Sequence, residues 1–499
     1  LHEEGWPEGP GWLKRRSQTD HPHYRGARRA VRTSPSLRST PPQQGGECFF
    51  RSPFTPSPFS LLPFLMNRRV VITGLGVACP LGNSVSVLWD ALQSQQSGVA
   101  RLESLPAVGD RVVFGGECRD FTGEIDNFGP LEKELKKTIR KALKVMCRET
   151  MMAIACSQQA IEDARATSAG MDPERCGVVF GSDYMLSPPD DFVDGMLKCG
   201  AGEGKFAYSQ WGSAGLSAMS PLWMLKFLPN MPGSHIAIFN DFRGPNNSLT
   251  MREISGILAI REAMQTIARG HADLMVAGAT GTRIHSFKTL HALQTEQLAS
   301  PECEPAEASR PFDAHRTGMV VGEGAGAIVL EELESARRRG AKIYGEILGA
   351  GSSSVADSQL RGNQRQALAN AARVALGEAG IAPPDCGHIN AHGLGTKAGD
   401  IAEAAAIGDV FGETASGVPT VGVKSYFGNL GAGSGVVELV ASVRALETET
   451  LFGTRNFSAP DPECPLKVSG QNNLPVGGSF LKLSVTPQGQ AAAVVVGRV

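Results

Sequence analysis

"RRVVITGLGVACPLGN", Arg68–Asn83, decides how the rest of the chain is read. Val70, Val71 and Ile72 are β-branched and contiguous, and glycines follow at 74, 76 and 82. That pattern predicts a buried strand running into a glycine-rich turn. "VSVLWDALQSQQSG" comes next and predicts a helix ending at Gly98. The turn lacks the G-x-G-x-x-G spacing and the later ribose-binding acid, so it is not read as a nucleotide-binding loop.

Working outward, strand and helix patterns alternate to the C-terminus. "KTIRKALKVMCRETMMAIACSQQAIEDAR" predicts one long helix, "RCGVVFGS" a buried strand, and "ISGILAIREAMQTIARG" a helix leading to the strand "ADLMVAGAT". "GEGAGAIVLEELESARRRGAKIYGEILGAG" reads as strand, charged turn, strand. "RQALANAARVALGEAG" and "GSGVVELVASVRALETE" are helical, "CGHINAHG" is a strand and loop, and "AAAVVVGRV" closes as a strand. Such alternation predicts an α/β protein with a parallel-rich sheet covered by helices on both faces. "VVITGLG" and "IYGEILGAG" echo each other, which divides the chain into similar halves at 66–335 and 336–499. Residues 1–65, rich in Arg, Ser, Pro and Gly, are read as a disordered extension or a misassigned start before Met66.

Composition narrows the function classes. The chain has 499 residues and a net charge of −2, with 48 basic and 50 acidic residues, so no global charge points to nucleic acid. No apolar run approaches the roughly 18–20 residues that span a bilayer. Its ten cysteines are scattered without zinc-ligand spacing, so no metal is expected, and free thiols in a reducing cytoplasm are.

The motifs "VVITGLGVACPLGN", "FRGPNNSLT", "ADLMVAGA", "SRPFDAHRTGMVVGEGAGAIVLEE", "RGAKIYGEILGAG", "NAHGLGTKAGDIAEA" and "VKSYFGNLGAGSGVVE" occur in this order from Met66 onward. Together they resemble the β-ketoacyl-acyl-carrier-protein synthases. The resemblance implies a thiolase-like fold, two pseudo-repeated halves in an α-β-α-β-α arrangement, and a dimer. It implies no bound cofactor, and a substrate carried on the phosphopantetheine of acyl carrier protein. In the elongating branch a Cys at a helix N-terminus takes the acyl chain, and two His bind the malonyl thioester.

Carried over residue by residue, the resemblance puts Glu253 at the Cys position, His392 at the first His and Asn429 at the second. Lys424 matches the supporting Lys, and Asp400, Glu403 and Glu438 match acidic positions. Of two Thr expected beside pantetheine, the first is Leu394 and the second is Thr396. A Gly-Phe-Gly-Gly loop is replaced by "GSFLKLSVTPQGQ". The pairing of one His with one Asn is similar to that of initiating and plant-type ketosynthases.

Glu253 cannot form a usable acyl thioester. Locally, Thr250-Met-Arg-Glu253 reads as a capping box, with Thr250 at N-cap and Glu253 at N3. Lys424 is expected to pair with Glu253 or Glu438. The segment Asp183–Gly233 is longer than the family's usual stretch; its Met, Phe and Trp suit an acyl pocket, a subunit interface or plain packing. The expectation is a non-condensing, chain-length-factor-like partner of a Cys-bearing ketosynthase, as a heterodimer or else with itself. The alternatives are a malonyl-carrier-protein decarboxylase using His392 and Asn429, and a condensing enzyme with a relocated nucleophile.

Overall fold

The computed structural model describes residues 68–105, 111–166 and 170–499; the reading of 1–65 lies outside them. Among the described residues thirteen strands follow in chain order. They are β1 Val70–Ala78, β2 Ala100–Arg101, β3 Phe114–Gly115, β4 Cys176–Ser182, β5 Asn246–Thr250, β6 Leu274–Thr282 and β7 Glu323–Glu332. Then come β8 Gly345–Ser354, β9 His388–Asn390, β10 Pro419–Val421, β11 Lys467–Val468, β12 Ser479–Val485 and β13 Gln490–Gly497.

Eleven of them form one ladder in the order β11-β10-β9-β12-β13-β8-β1-β7-β6-β4-β5. Reading outward from the β1–β8 seam, the two sides repeat each other. β1, β7, β6, β4 and β5 on one side match β8, β13, β12, β9 and β10 on the other. The echo between "VVITGLG" and "IYGEILGAG" is thus the first strand of each repeat.

The sheet is parallel only toward its ends, among β6, β4 and β5 and among β12, β9, β10 and β11. From β6 through β7, β1, β8 and β13 to β12 every pairing is antiparallel, which corrects the parallel-rich expectation. One of these pairings has a local cause: β12 and β13 are joined by the short turn Thr486–Gly489, and a link that short makes only an antiparallel pair.

Helices Ser255–Ala268 and Ser434–Thr448 lie between the two half-sheets and fill the largest apolar core through Ile257, Ile260, Val437 and Val440. Helix Arg148–Asp163 covers the outer face of one half-sheet, and helices Gln364–Ala379 and Lys397–Phe411 that of the other. Close layering needs small residues. A Cβ at Gly74 would stand 2.1 Å from the Ala160 carbonyl oxygen, and one at Gly76 1.9 Å from that of Cys156.

Boundaries differ in three places. The first helix ends at Gln93, short of Gly98. The long predicted helix is two, Lys133–Ala142 and Arg148–Asp163, separated by a 3-10 turn at Leu143–Val145. The charged turn after β7 is the short helix Leu333–Arg338, capped by the Glu332 side chain.

Candidate functional site

The residues singled out above follow the carboxyl ends of parallel strands. β5 leads to Glu253, β9 to His392 and β10 to Lys424. That edge of an open α/β sheet is where loops converge. Helix Ser434–Thr448 supplies Glu438, and helix Lys397–Phe411 supplies Asp400 and Glu403.

Glu253 is not part of a capping box. Thr250 ends β5, Glu253 sits in the 3-10 turn Arg252–Ile254, and the helix starts at Ser255 without a side-chain cap. Arg252 is held at φ 53°, a left-handed conformation uncommon for Arg. The Glu253 carboxylate turns to Arg283 instead, whose Nη2 donates to Oε1; both side chains are buried. A guanidinium cannot shed its charge, so a buried Arg283 recruits an anion more strongly than backbone amides do. Asn429 Nδ2 donates to the same Oε1 at 3.3 Å, and Arg252 Nε lies 3.4 Å from Oε2. Arg283 also faces Asp183 at 3.6 Å, and Arg252 bonds Glu296 at 2.7 Å. Burial pushes the Glu253 carboxyl up, but Arg283 and then Arg252 outweigh it and hold it well below the usual carboxylate range.

His392 belongs to a second network. Lys424 donates to its Nδ1 at 3.3 Å and to its carbonyl oxygen at 2.7 Å. Burial, then Lys424 and Lys482, holds the imidazole well below its ordinary pKa, so it is neutral. With Nδ1 accepting from an ammonium, the proton resides on Nε2, which is therefore a donor.

Lys424 pairs with Glu438 Oε1 at 2.7 Å, the second of its two expected partners, and Lys482 takes Oε2. Lys482 also donates to the Ala391 carbonyl oxygen at 3.1 Å, and burial pulls it down to about 8. Glu403 accepts from the backbone N–H groups of His392 and Gly393 at 2.6 and 2.8 Å. Asp400 accepts from those of Phe312, Leu394 and Gly395, and burial pushes it up to about 7. Thr396 is buried at the start of helix Lys397–Phe411, where its carbonyl accepts the Asp400 N–H, and Leu394 packs with Ile284 and Met319.

Glu253 and Asn429 are therefore brought together, as are His392, Lys424 and Glu438, while Asp400, Glu403 and Thr396 shape the loop that carries His392. Sequence reasoning passed over Arg283, Asp183, Glu296 and Lys482. Lys482 had a signal: it interrupts the apolar run "SFLKL" of β12, every residue of which is buried. Arg283 and Asp183 had none, because a charge just past a strand end ordinarily faces water.

Among the described residues no cluster of His, Cys, Asp or Glu has the arrangement to hold a metal ion, and no helix is long and apolar enough to cross a membrane. All nine described cysteines are free. Burial raises the thiols of Cys79, Cys147, Cys386 and Cys464 to about 12, the opposite of an activated nucleophile.

Comparison with known proteins follows from this geometry. Residues 67–336 match the β-ketoacyl synthase N-terminal domain, and residues 344–458 match its C-terminal domain. The chain belongs to the β-ketoacyl synthase family. It is 34% identical to 3-oxoacyl-[acyl-carrier-protein] synthase 2 of Synechocystis sp., over 82% of this chain and 92% of that one. The same-named protein of Coxiella burnetii is 35% identical, over 80% and 91%.

Solved structures agree. One of a type II PKS acyl-carrier protein in complex with its ketosynthase superposes with a TM-score of 0.74 at 26% identity, covering 87% of this chain and 99% of that one. The ishigamide ketosynthase/chain length factor gives 0.73 at 26%, with the same coverage. A β-ketoacyl synthase from Burkholderia phymatum gives 0.72 at 28%, covering 87% and 100%. The fold is the thiolase-like fold of the ketosynthases, and the family is one of fatty acid and polyketide biosynthesis. In this family member Glu253 is a buried, ion-paired carboxylate.

Proposed function

We propose that this chain is a non-condensing, chain-length-factor-like subunit that pairs with a Cys-bearing 3-oxoacyl-ACP synthase in the cytoplasm, its two halves meeting at residues 335 and 336. One observation carries the reading: Glu253 is committed to Arg283. A carboxylate is a poor acyl acceptor, because a mixed anhydride hydrolyses readily, and one neutralised by a buried guanidinium is a poorer nucleophile still. His392, Lys424 and Glu438 retain the fold's buried scaffold without the attacking atom, and acyl chains on acyl carrier protein are elongated by the partner.

Surface features support pairing. β5 ends the ladder with one edge unpaired, and the segment after β4 exposes Tyr208 (77%), Leu222 (51%) and Met224 (58%). Apolar side chains exposed along one segment mark an interaction surface. Free thiols suit a reducing compartment.

The experiment is co-expression with a Cys-bearing ketosynthase of the same organism, followed by product analysis. We expect a heterodimer and a shift in product length on its removal. A chain isolated only as a homodimer, without effect on that enzyme's products, defeats the reading.

A second reading, decarboxylation of malonyl-carrier-protein, is favoured by the neutral His392 with its Nε2 proton. It is opposed by Asn429, whose Nδ2 donates to Glu253. Release of carbon dioxide by the purified chain, abolished in His392→Ala, is the result that would establish it.

A further inference from the structure

The surroundings of Glu253 are built to hold an anion, and they are only partly used. Arg283 Nη2 and Asn429 Nδ2 both converge on Oε1, with Arg252 Nε beside Oε2. Among the described residues, Arg283 Nε and Nη1 and Arg252 Nε are buried without a hydrogen-bond partner, as is Glu253 Oε2. Three carboxylates, Glu253, Asp183 and Glu296, share the two guanidiniums, and these donors still stay unpaired among the described residues. Met251 and Ile254 frame the position along the chain, and Asn429 Nδ2 also donates to Met319 Sδ at 3.1 Å. Asp183 faces the same Arg283 Nη2 at 3.6 Å and Glu296 pairs with Arg252 Nη2, so both arginines remain counter-charged if the 253 side chain is shortened.

We propose that Glu253 is a tethered plug in a small-carboxylate site, whose walls of Arg283, Arg252 and Asn429 take up an external monocarboxylate once the side chain is removed. The guanidinium fork matches carboxylate geometry, which a spherical anion does not reproduce. In the native chain the plug keeps any substrate carboxylate away from Asn429. This holds whether or not the chain pairs with a ketosynthase, so its test and the co-expression test succeed or fail separately.

The experiment measures thermal melting of the full-length Glu253→Ala variant with sodium formate or acetate, against sodium chloride at equal ionic strength. Formate is expected to raise the variant's melting temperature saturably by several degrees and to leave the wild type unmoved. Titration calorimetry should show one formate bound per Glu253→Ala chain and none in Glu253→Ala/Arg283→Met. In Glu253→Gln, whose side chain still fills the site, formate should have no effect. The proposal is overturned if formate does not stabilise Glu253→Ala, if chloride does so equally, or if Glu253→Gln or the wild type responds as strongly. Should the Ala variant not fold unaided, refolding yield in formate against chloride is read with the same outcomes.

Discussion

Lys424 grips His392 at two atoms, donating to Nδ1 of the ring and to the carbonyl oxygen of the same residue. The ring's tautomer and the backbone that presents it are thus set by one ammonium, which Glu438 holds in place from behind. In Lys424→Met the fixed tautomer should be lost. ¹⁵N spectra of labelled histidine should change from an Nε2-protonated ring to a mixture. The variant should also lose stability in urea denaturation, by less than the about 3–5 kcal/mol of a stranded buried ion, because Lys482 still holds Glu438.

The Arg283–Glu253 pair should show the asymmetry of buried ions. Removing Arg283 leaves Glu253 with Arg252 alone and costs about 3–5 kcal/mol, whereas removing Glu253 leaves Arg283 facing Asp183 and costs less. Arg283→Met should cost more than Glu253→Met, because it strands Asp183 as well. The double variant should be more stable than Arg283→Met alone. A cycle that is simply additive would contradict the pairing.

His388 gives a pH dependence of known sign. Burial holds its pKa at about 4, with Ser442 and the Val476 carbonyl on its two nitrogens. The unfolded chain protonates near 6.5, before the folded one does, so stability is complete above pH 6.5 and falls as the pH drops toward 4. The shift amounts to about 3 kcal/mol. Asp400, raised to about 7, acts in the opposite sense, since its folded form keeps a proton that the unfolded chain releases. Comparing wild type with His388→Asn isolates the histidine: between pH 6.5 and 4 the wild type should lose more stability than the variant.

The middle layer should tolerate no added atom at Gly256. A Cβ there would lie 2.5 Å from Val436 Cγ2 and 3.2 Å from the Ala279 methyl. Gly256→Ala gains helix propensity but overpacks the crossing of the two central helices. A net loss of about 1–3 kcal/mol is expected in denaturant unfolding, and more for Gly256→Val.

If the apolar segment after β4 carries the partner, Leu222→Glu with Met224→Glu should abolish co-purification with the ketosynthase and leave the melting temperature of the isolated chain unchanged. Intact pairing in that variant removes this segment from the interface.

The order of elements was legible because strands and helices here obey their periods. Val70–Ile72, the Ala-rich helices and the glycine punctuation each read correctly in isolation. Sheet direction was not, because it depends on where a connection returns, and the Thr486–Gly489 turn reverses the chain without a strong sequence mark. At the site, the family resemblance put His392, Lys424, Asn429 and Glu438 forward, and all four are buried. Arg283 and Lys482 were missed, because a lone charge in sequence carries no sign of the partner that makes its burial tolerable. The TMRE stretch failed for the same reason: the capping rule is local, and a guanidinium 30 residues away outcompeted it.

At the β1–β8 seam the backbone ladder is only two residue pairs long, Val71 with Glu346 and Ile72 with Gly345. Elsewhere the halves are joined by scattered backbone bonds, such as Gly98 N–H to the Tyr426 carbonyl and Asn429 N–H to that of Val320, and by side chains. Asn429 comes from one side of that seam and Glu253 from the other, so their hydrogen bond is a latch that closes only when both halves are folded and docked.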